Sequence, residues 1–207
     1  MLQWRSATAI IAIVTVVVSA IAILSGIDYW AVYGGFIPAR MMGLLQLPGA
    51  LPAWLTPLSA ELLHGGWLHL GVNMLMLVFV GTQVERVVGA SGLIVAYLVG
   101  ALAAAGSQLL VDPAGTVPMV GASGAISALF GLFALFFGRP KQVTQNQKLN
   151  RWIHALWLLV TWVVLQWMLG VLAGGEGVLL ATPAHIGGFI AGMLLQRPLL
   201  MWRYRKA

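Results

Sequence analysis

The chain of 207 residues alternates long uncharged stretches with short polar ones. Uncharged runs occur at 6–27, 62–84, 87–111, 113–138, 152–175 and 177–196. Each reaches the roughly 20 residues that an α-helix needs to cross the hydrocarbon core of a bilayer. A further uncharged run, 41–60, contains Pro48, Pro52 and Pro57 with Gly43 and Gly49. Interior prolines delete backbone hydrogen bonds that lipid cannot replace, so this run is not expected to span. The pattern predicts an all-α polytopic membrane protein with six transmembrane helices forming one domain over 1–207. It leaves 28–61 as a long outer loop, apolar but broken by proline, with Trp30 and Trp54 suited to the membrane interface. A structureless connection of that length is uncommon, so a half-embedded hairpin or a set of short interfacial helices is expected. The stretch 139–151 is a polar connector between the fourth and fifth runs.

Composition strengthens this picture. Hydrophobic residues make up 60% of the chain and charged residues 8%, against about a quarter charged in soluble domains; disorder is excluded on the same ground. With no cysteine, disulfides and thiolate metal sites are excluded. A net charge of +6 would hint at nucleic acid in a soluble protein. Here the basic residues flank the apolar runs, and membrane topology explains them without a nucleic-acid partner. With a cytoplasmic N-terminus, Arg5, Arg86, Arg139, Lys141, Lys148, Arg151, Arg197, Arg203, Arg205 and Lys206 fall inside, leaving Arg40 outside with Asp28, Glu61, Asp112 and Glu176. Making 41–60 a span would move Arg139 to Arg151 outside and destroy this positive-inside bias. Both termini are therefore expected in the cytoplasm. Ala20-Ile21-Ala22 resembles a signal-peptide cleavage site, but the apolar stretch is longer than the ~7–15 residues of such signals, so the first run is read as a span.

Polar groups inside spans cost free energy unless paired, which makes them functional candidates. The second span carries His64, His69 and Asn73, the fourth begins with Gly121-Ala122-Ser123-Gly124, the fifth has Gln166, and the sixth has His185 after Pro183. His69 and Asn73, four apart, share a helical face. Ser123 is placed at a helix N-terminus, where free N–H groups and the positive dipole end suit a developing oxyanion. The outer ends of spans two, four and six lie on one side of the membrane, so these residues can converge at similar depth. They supply a nucleophile, a base and anion donors: serine needs a positioned base, and a neutral imidazole at His185 can serve. No carboxylate is expected at comparable depth, which makes the arrangement a dyad. Gly188 and Gly192 form a small-xxx-small pair, and Gly124, Ser127 and Gly131 give span four a thin stripe against it. His154 reads as a structural or interfacial residue and Gln166 as helix-to-helix glue. Trp152, Trp157, Trp162 and Trp167 step by five around the helix and are expected to face lipid and interface. His64 and His69 lack the i,i+4 zinc spacing, with no thiol or carboxylate beside them, so neither metal nor cofactor is expected.

With these residues in view, the chain resembles the rhomboid family of intramembrane serine proteases. His64-Gly65-Gly66-Trp67-Leu68-His69 followed by Asn73 is similar to the family's H-x4-H-x3-N, and Glu85 with Gly89 to its E-x3-G. Gly121-Ala122-Ser123-Gly124 is similar to G-x-S-G, and Ala184-His185 with Gly188 and Gly192 to A-H-x2-G-x3-G. The resemblance implies a six-helix rhomboid-like bundle in which Ser123 attacks the scissile carbonyl of a transmembrane substrate and His185 is the general base. It also implies an oxyanion hole of His69, Asn73 and the Ser123 N–H, a structural His64, a Glu85 that ties down the inner loop, and span five as a lateral gate. Two positions depart from the family pattern. The first loop commonly ends in Trp-Arg, whereas Leu55 follows Trp54 here, so any such arginine bonding is absent or comes from Arg40. Ser127 stands where some members have a tyrosine that stacks on the catalytic histidine, so His185 is expected to be held differently.

The expected activity is thus hydrolysis of transmembrane proteins near their outer membrane boundary, in a bacterial inner membrane given the compact form. A catalytically silent chaperone or adaptor that binds transmembrane helices is the rival reading, and it would require neither Ser123 nor His185. A small transporter would call for buried charges or an inverted repeat, which the spans lack.

Overall fold

A computed structural model describes residues 6–138, 141–172 and 182–205. Arg5, Arg139, Glu176 and Lys206, the junction 173–181 and the side chain of Gln166 lie outside the described residues. The described chain is helical, with helices α1 (Ala7–Gly34), α2 (Pro38–Met41), α3 (Thr56–Ser59), α4 (Trp67–Val111), α5 (Ser123–Phe137), α6 (Gln147–Leu172) and α7 (Thr182–Arg203). Among the described residues β-pairing is limited to one isolated bridge between Phe36 and Met119.

By length and composition, α1 and α4 can cross a membrane. The start of α1 is tied down from a distance: Glu85 accepts from the Ala7 N–H at 2.8 Å, the Thr8 N–H at 3.0 Å and the Thr8 hydroxyl at 2.6 Å. These are donors that the first turn of a helix cannot satisfy internally. After an interruption at Gly26, α1 continues to Gly34, beyond the expected end at residue 27. The loop that follows consists of short helical turns, as expected: α2, Ala53–Leu55, α3 and Ala60–Leu62.

At 45 residues, α4 would measure about 67 Å if straight, but its two ends meet the chain close together, just before and within the first turn of α5. Near its start, the His69 ring lies against Gly121, so close that a Cβ there would stand 2.7 Å from Cε1; near its end, Ala104 lies 2.6 Å from where a Cβ of Gly124 would be. The helix must therefore reverse, and it does so at Gly89, whose φ of 77° and ψ of 171° belong to a region that is essentially glycine's alone. The Arg203 guanidinium covers this turn, with Nη1 3.0 Å from the position of a Cβ. The expected runs 62–84 and 87–111 thus fall largely within α4, joined by the turn at Gly89, while residues 62–66, with His64, precede the helix.

Helix α5 is the axis of the fold, buried at every residue from Ser123 to Leu132. It meets α7 where side chains are absent. A Cβ at Gly192 would lie 2.6 Å from the Ala128 carbonyl carbon, and one at Gly188 would overlap the Gly124 carbonyl oxygen. Gly131 faces Phe189 and Met193 in the same seam, whereas the bare side of Gly124 faces Ala104 of α4. The stripe expected to face one partner therefore serves two. Around this centre the outward residues are large and apolar, including Ile10, Val17, Ile21 and Leu24 of α1 and Leu156, Trp157, Val164 and Met168 of α6, a surface that calls for lipid rather than water.

Candidate active site

The nucleophile candidate begins a helix because the chain before it is held from the other side. Phe36 and Met119 exchange both backbone hydrogen bonds (3.0 and 2.8 Å), the Ala39 N–H reaches the Gly115 carbonyl, and the Gly121 N–H donates to the Ala60 carbonyl at 2.9 Å. Gly121 has φ 122°, a value that L-residues rarely adopt, and its lack of a side chain makes room for the His69 ring.

His64 completes the anchorage. The Ser19 hydroxyl donates to the Leu62 carbonyl at 2.8 Å and so faces His64 Nδ1, 2.9 Å away, as an acceptor. That arrangement places the imidazole proton on Nδ1 and leaves Nε2 to accept the Ala122 N–H at 3.3 Å. His64 is a fully buried strut between α1 and the turn before Ser123.

Across the seam, His185 Nε2 and Ser123 Oγ are 2.9 Å apart, a buried hydrogen bond between residues 62 apart in sequence. Ser123 retains 9% exposure and His185 5%. Residues 123 and 124 occupy the first turn of α5, where N–H groups have no intrahelical acceptor, so their donors are available at the nucleophile. Close by, the His69 Nδ1 accepts the Gly65 N–H at 3.4 Å, which leaves Nε2 as the protonated nitrogen of a neutral ring. Serine, imidazole acceptor and anion donors at one helix N-terminus are what acyl transfer requires.

Residues 52–202 match the family description "Rhomboid domain". The chain belongs to the rhomboid family. Relatives of this rhomboid chain include RHOMBOID-like protein 5 of Arabidopsis thaliana, 33% identical over 70% of this chain and 43% of that protein. RHOMBOID-like protein 4 of the same plant is 35% identical over 70% of this chain and 34% of its own. Rhomboid-type serine protease 2 of Emericella nidulans is 28% identical over 74% of this chain and 28% of its own. The rhomboid chain thus spans less than half the length of these relatives.

The structure brings Ser123, His185 and His69 together. Asn73 is fully buried, but its Nδ2 donates to the His69 carbonyl at 3.0 Å and its Oδ1 has no partner. Glu85, expected to tie down an inner loop, makes its hydrogen bonds instead to the start of α1, which it caps. Arg40 supplies loop bonding without a Trp-Arg pair, its Nη2 donating to the Leu51 carbonyl at 2.6 Å. His154 packs on Gly138.

Two residues of this rhomboid chain depart from expectation. Trp152, Trp157 and Trp167 face outward, but Trp162 is 2% exposed. Its Nε1–H donates to Ser127 Oγ at 2.6 Å, Ser127 donates to the Ser123 carbonyl at 2.7 Å, and Phe130 lies against the indole at 4.4 Å between ring centroids. Ser127 thus links α6 to the Ser123 carbonyl. The second is Glu61, expected among solvated loop acids with no carboxylate near the dyad. It is buried instead, 6% exposed, against the Ala125 N–H in the first turn of α5. A clue was present: Glu61 precedes His64 by three residues, within a helical turn of the strut.

Proposed function

We propose that this rhomboid chain is an intramembrane serine endopeptidase working through a Ser123–His185 dyad. The observation that carries the reading is the buried 2.9 Å hydrogen bond between His185 Nε2 and Ser123 Oγ at the N-terminus of α5. As Ser123 Oγ attacks the scissile carbonyl of a transmembrane substrate, Nε2 takes the hydroxyl proton. The oxyanion is received by the Ser123 N–H, by His69 Nε2–H, and by Asn73 once its amide leaves the His69 carbonyl. His185 then protonates the leaving amine as the acyl–enzyme forms. A water molecule, deprotonated by the same nitrogen, releases the acid and restores the serine. Fixed donors that act only on the developing charge accelerate the chemical step.

The topology proposed with this chemistry has six spans and both termini in the cytoplasm, as in a bacterial inner membrane. Support comes from the distribution of basic residues and from the reversal of α4 at Gly89. The dyad then lies toward the outer face, where water reaches it, and cleavage falls near the substrate's outer boundary.

The test compares wild type with Ser123→Ala and His185→Ala in liposomes carrying a labelled single-span substrate. Cleavage near the outer boundary that disappears in both variants is expected. Unchanged cleavage in either variant refutes the dyad. An inert wild type whose Ser123 also resists a fluorophosphonate probe moves the assignment to a helix-binding chaperone or adaptor.

A further inference from the structure

Glu61 has no role in the mechanism above, yet it is a carboxyl group taken out of water beside the nucleophile's helix. Its Oε1 lies 3.5 Å from the position of a Cβ on Gly124, and the carboxyl meets the Ala125 N–H. Its Oε2 is buried without a hydrogen-bond partner. Tyr97 of α4 lies within range of its charge and next to Thr15 of α1, but among the described residues Glu61 Oε2 and Tyr97 Oη form no hydrogen bond with each other. From α5 the facing groups are backbone atoms of Gly124 and Ala125. Tyr97 is the titratable side chain near it on α4, and among the described residues no cation forms an ion pair with Glu61.

A buried carboxylate without a cation is costly, and such a group sheds its charge by holding a proton. We propose that Glu61 is a positioning residue for Ser123: a protonated carboxyl that clamps the first turn of α5 by accepting from the Ala125 N–H. The inference rests on the protease reading only for its effect on Ser123. Glu61 lies in the stretch before α4, outside the spanning segments, and burial pushes its carboxyl from 4.5 up to about 8, with the Ala125 N–H pulling the other way.

The sign follows. Ionisation adds negative charge at the end of α5 that must support an oxyanion. Reactivity at Ser123 therefore falls as pH rises through about 8. The same raised value means that the contribution of Glu61 to stability is complete below its unfolded value and lost as pH climbs through the folded one.

Two measurements on the full chain in detergent or liposomes decide the matter. The first is an infrared titration of the protonated carboxylic C=O band in Ser123→Ala, with Glu61→Gln added to identify it. A band lost on that substitution and titrating near pH 8 is expected. A Glu61 that is ionised from neutral pH upward overturns the clamp, whether or not the chain is a protease. The second is the rate of fluorophosphonate labelling at Ser123 against pH. Wild type should lose about tenfold between neutral pH and about pH 10, while Glu61→Gln, compared with its own neutral rate, should not. A parallel alkaline loss in both proteins overturns the link to Ser123. Absence of labelling at every pH refutes the protease reading instead and leaves the infrared band to decide the protonation.

Discussion

Substituting Gly192 by alanine probes whether the α5–α7 seam sets the dyad distance. Gly192 lies seven residues beyond His185 on the same helix, and its missing side chain is what lets α7 touch the Ala128 peptide. A Cβ would stand 2.6 Å from the Ala128 carbonyl carbon, against the 3.4 Å at which ordinary contact begins. Close-packed interiors transmit such a conflict rather than absorbing it, and the Ala128 carbonyl oxygen would lie closer still, so α7 must recede by more than about 0.8 Å. The obstacle is backbone, with no flexible side chain to swing away. If the retreat reaches His185, its 2.9 Å hydrogen bond to Ser123 opens beyond the range in which a proton is shared. Misplacement on this scale costs on the order of 10²-fold in reactivity. The assay is the fluorophosphonate labelling rate of Ser123 in purified Gly192→Ala, with folding verified by circular dichroism and a monodisperse elution profile. Gly106→Ala is the matched control, because nothing lies within 4 Å of a Cβ there; it should label like wild type. If Gly192→Ala folds and labels at the wild-type rate, the claim that the glycine seam sets the dyad distance is wrong.

Two further predictions use the buried polar contacts. Ser127→Ala strands the Trp162 N–H in the core and should destabilise the fold by about 1–3 kcal/mol; Trp162→Phe removes the donor and should cost about 1 kcal/mol. The double variant should be more stable than the sum of the singles implies, as read by denaturant unfolding in detergent; strict additivity would mean that the 2.6 Å contact contributes nothing. Glu85→Ala leaves the Ala7 and Thr8 N–H groups without their acceptor, so hydrogen exchange at the start of α1 should accelerate at least tenfold. Exchange unchanged from wild type would mean that the cap is dispensable.

The spans were legible because lipid imposes one rule on every residue that meets it, and runs such as 87–111 obey it without reference to neighbours. The pairing of Ser123 with His185 was legible because serine and histidine in apolar surroundings are expensive and rare. Features settled by a particular neighbour were not. Charge counting placed Glu61 with the loop acids, since it cannot register that residues 60–64 fold back onto the turn before Ser123. The five-residue step of the tryptophans turns each successive ring by about 140°. One ring can then face the bundle while others face lipid, but the step does not say which; Phe130 and Ser127 select Trp162. The orientation of Asn73 was equally hidden, because its amide has an acceptor within its own helix.

Ser19 gives the outermost helix an unexpected standing. The family match covers 52–202 and so starts after α1, yet the hydroxyl of Ser19 fixes the ring that holds Ala122. In order of synthesis, α1 carries a fastener for a turn made about a hundred residues later. A chimera that exchanged α1 for a generic anchor of equal hydrophobic length would still reach the bilayer, but with its nucleophile's threshold unlatched. Grafts between rhomboids should therefore be matched by the hydroxyl at this position before they are matched by length.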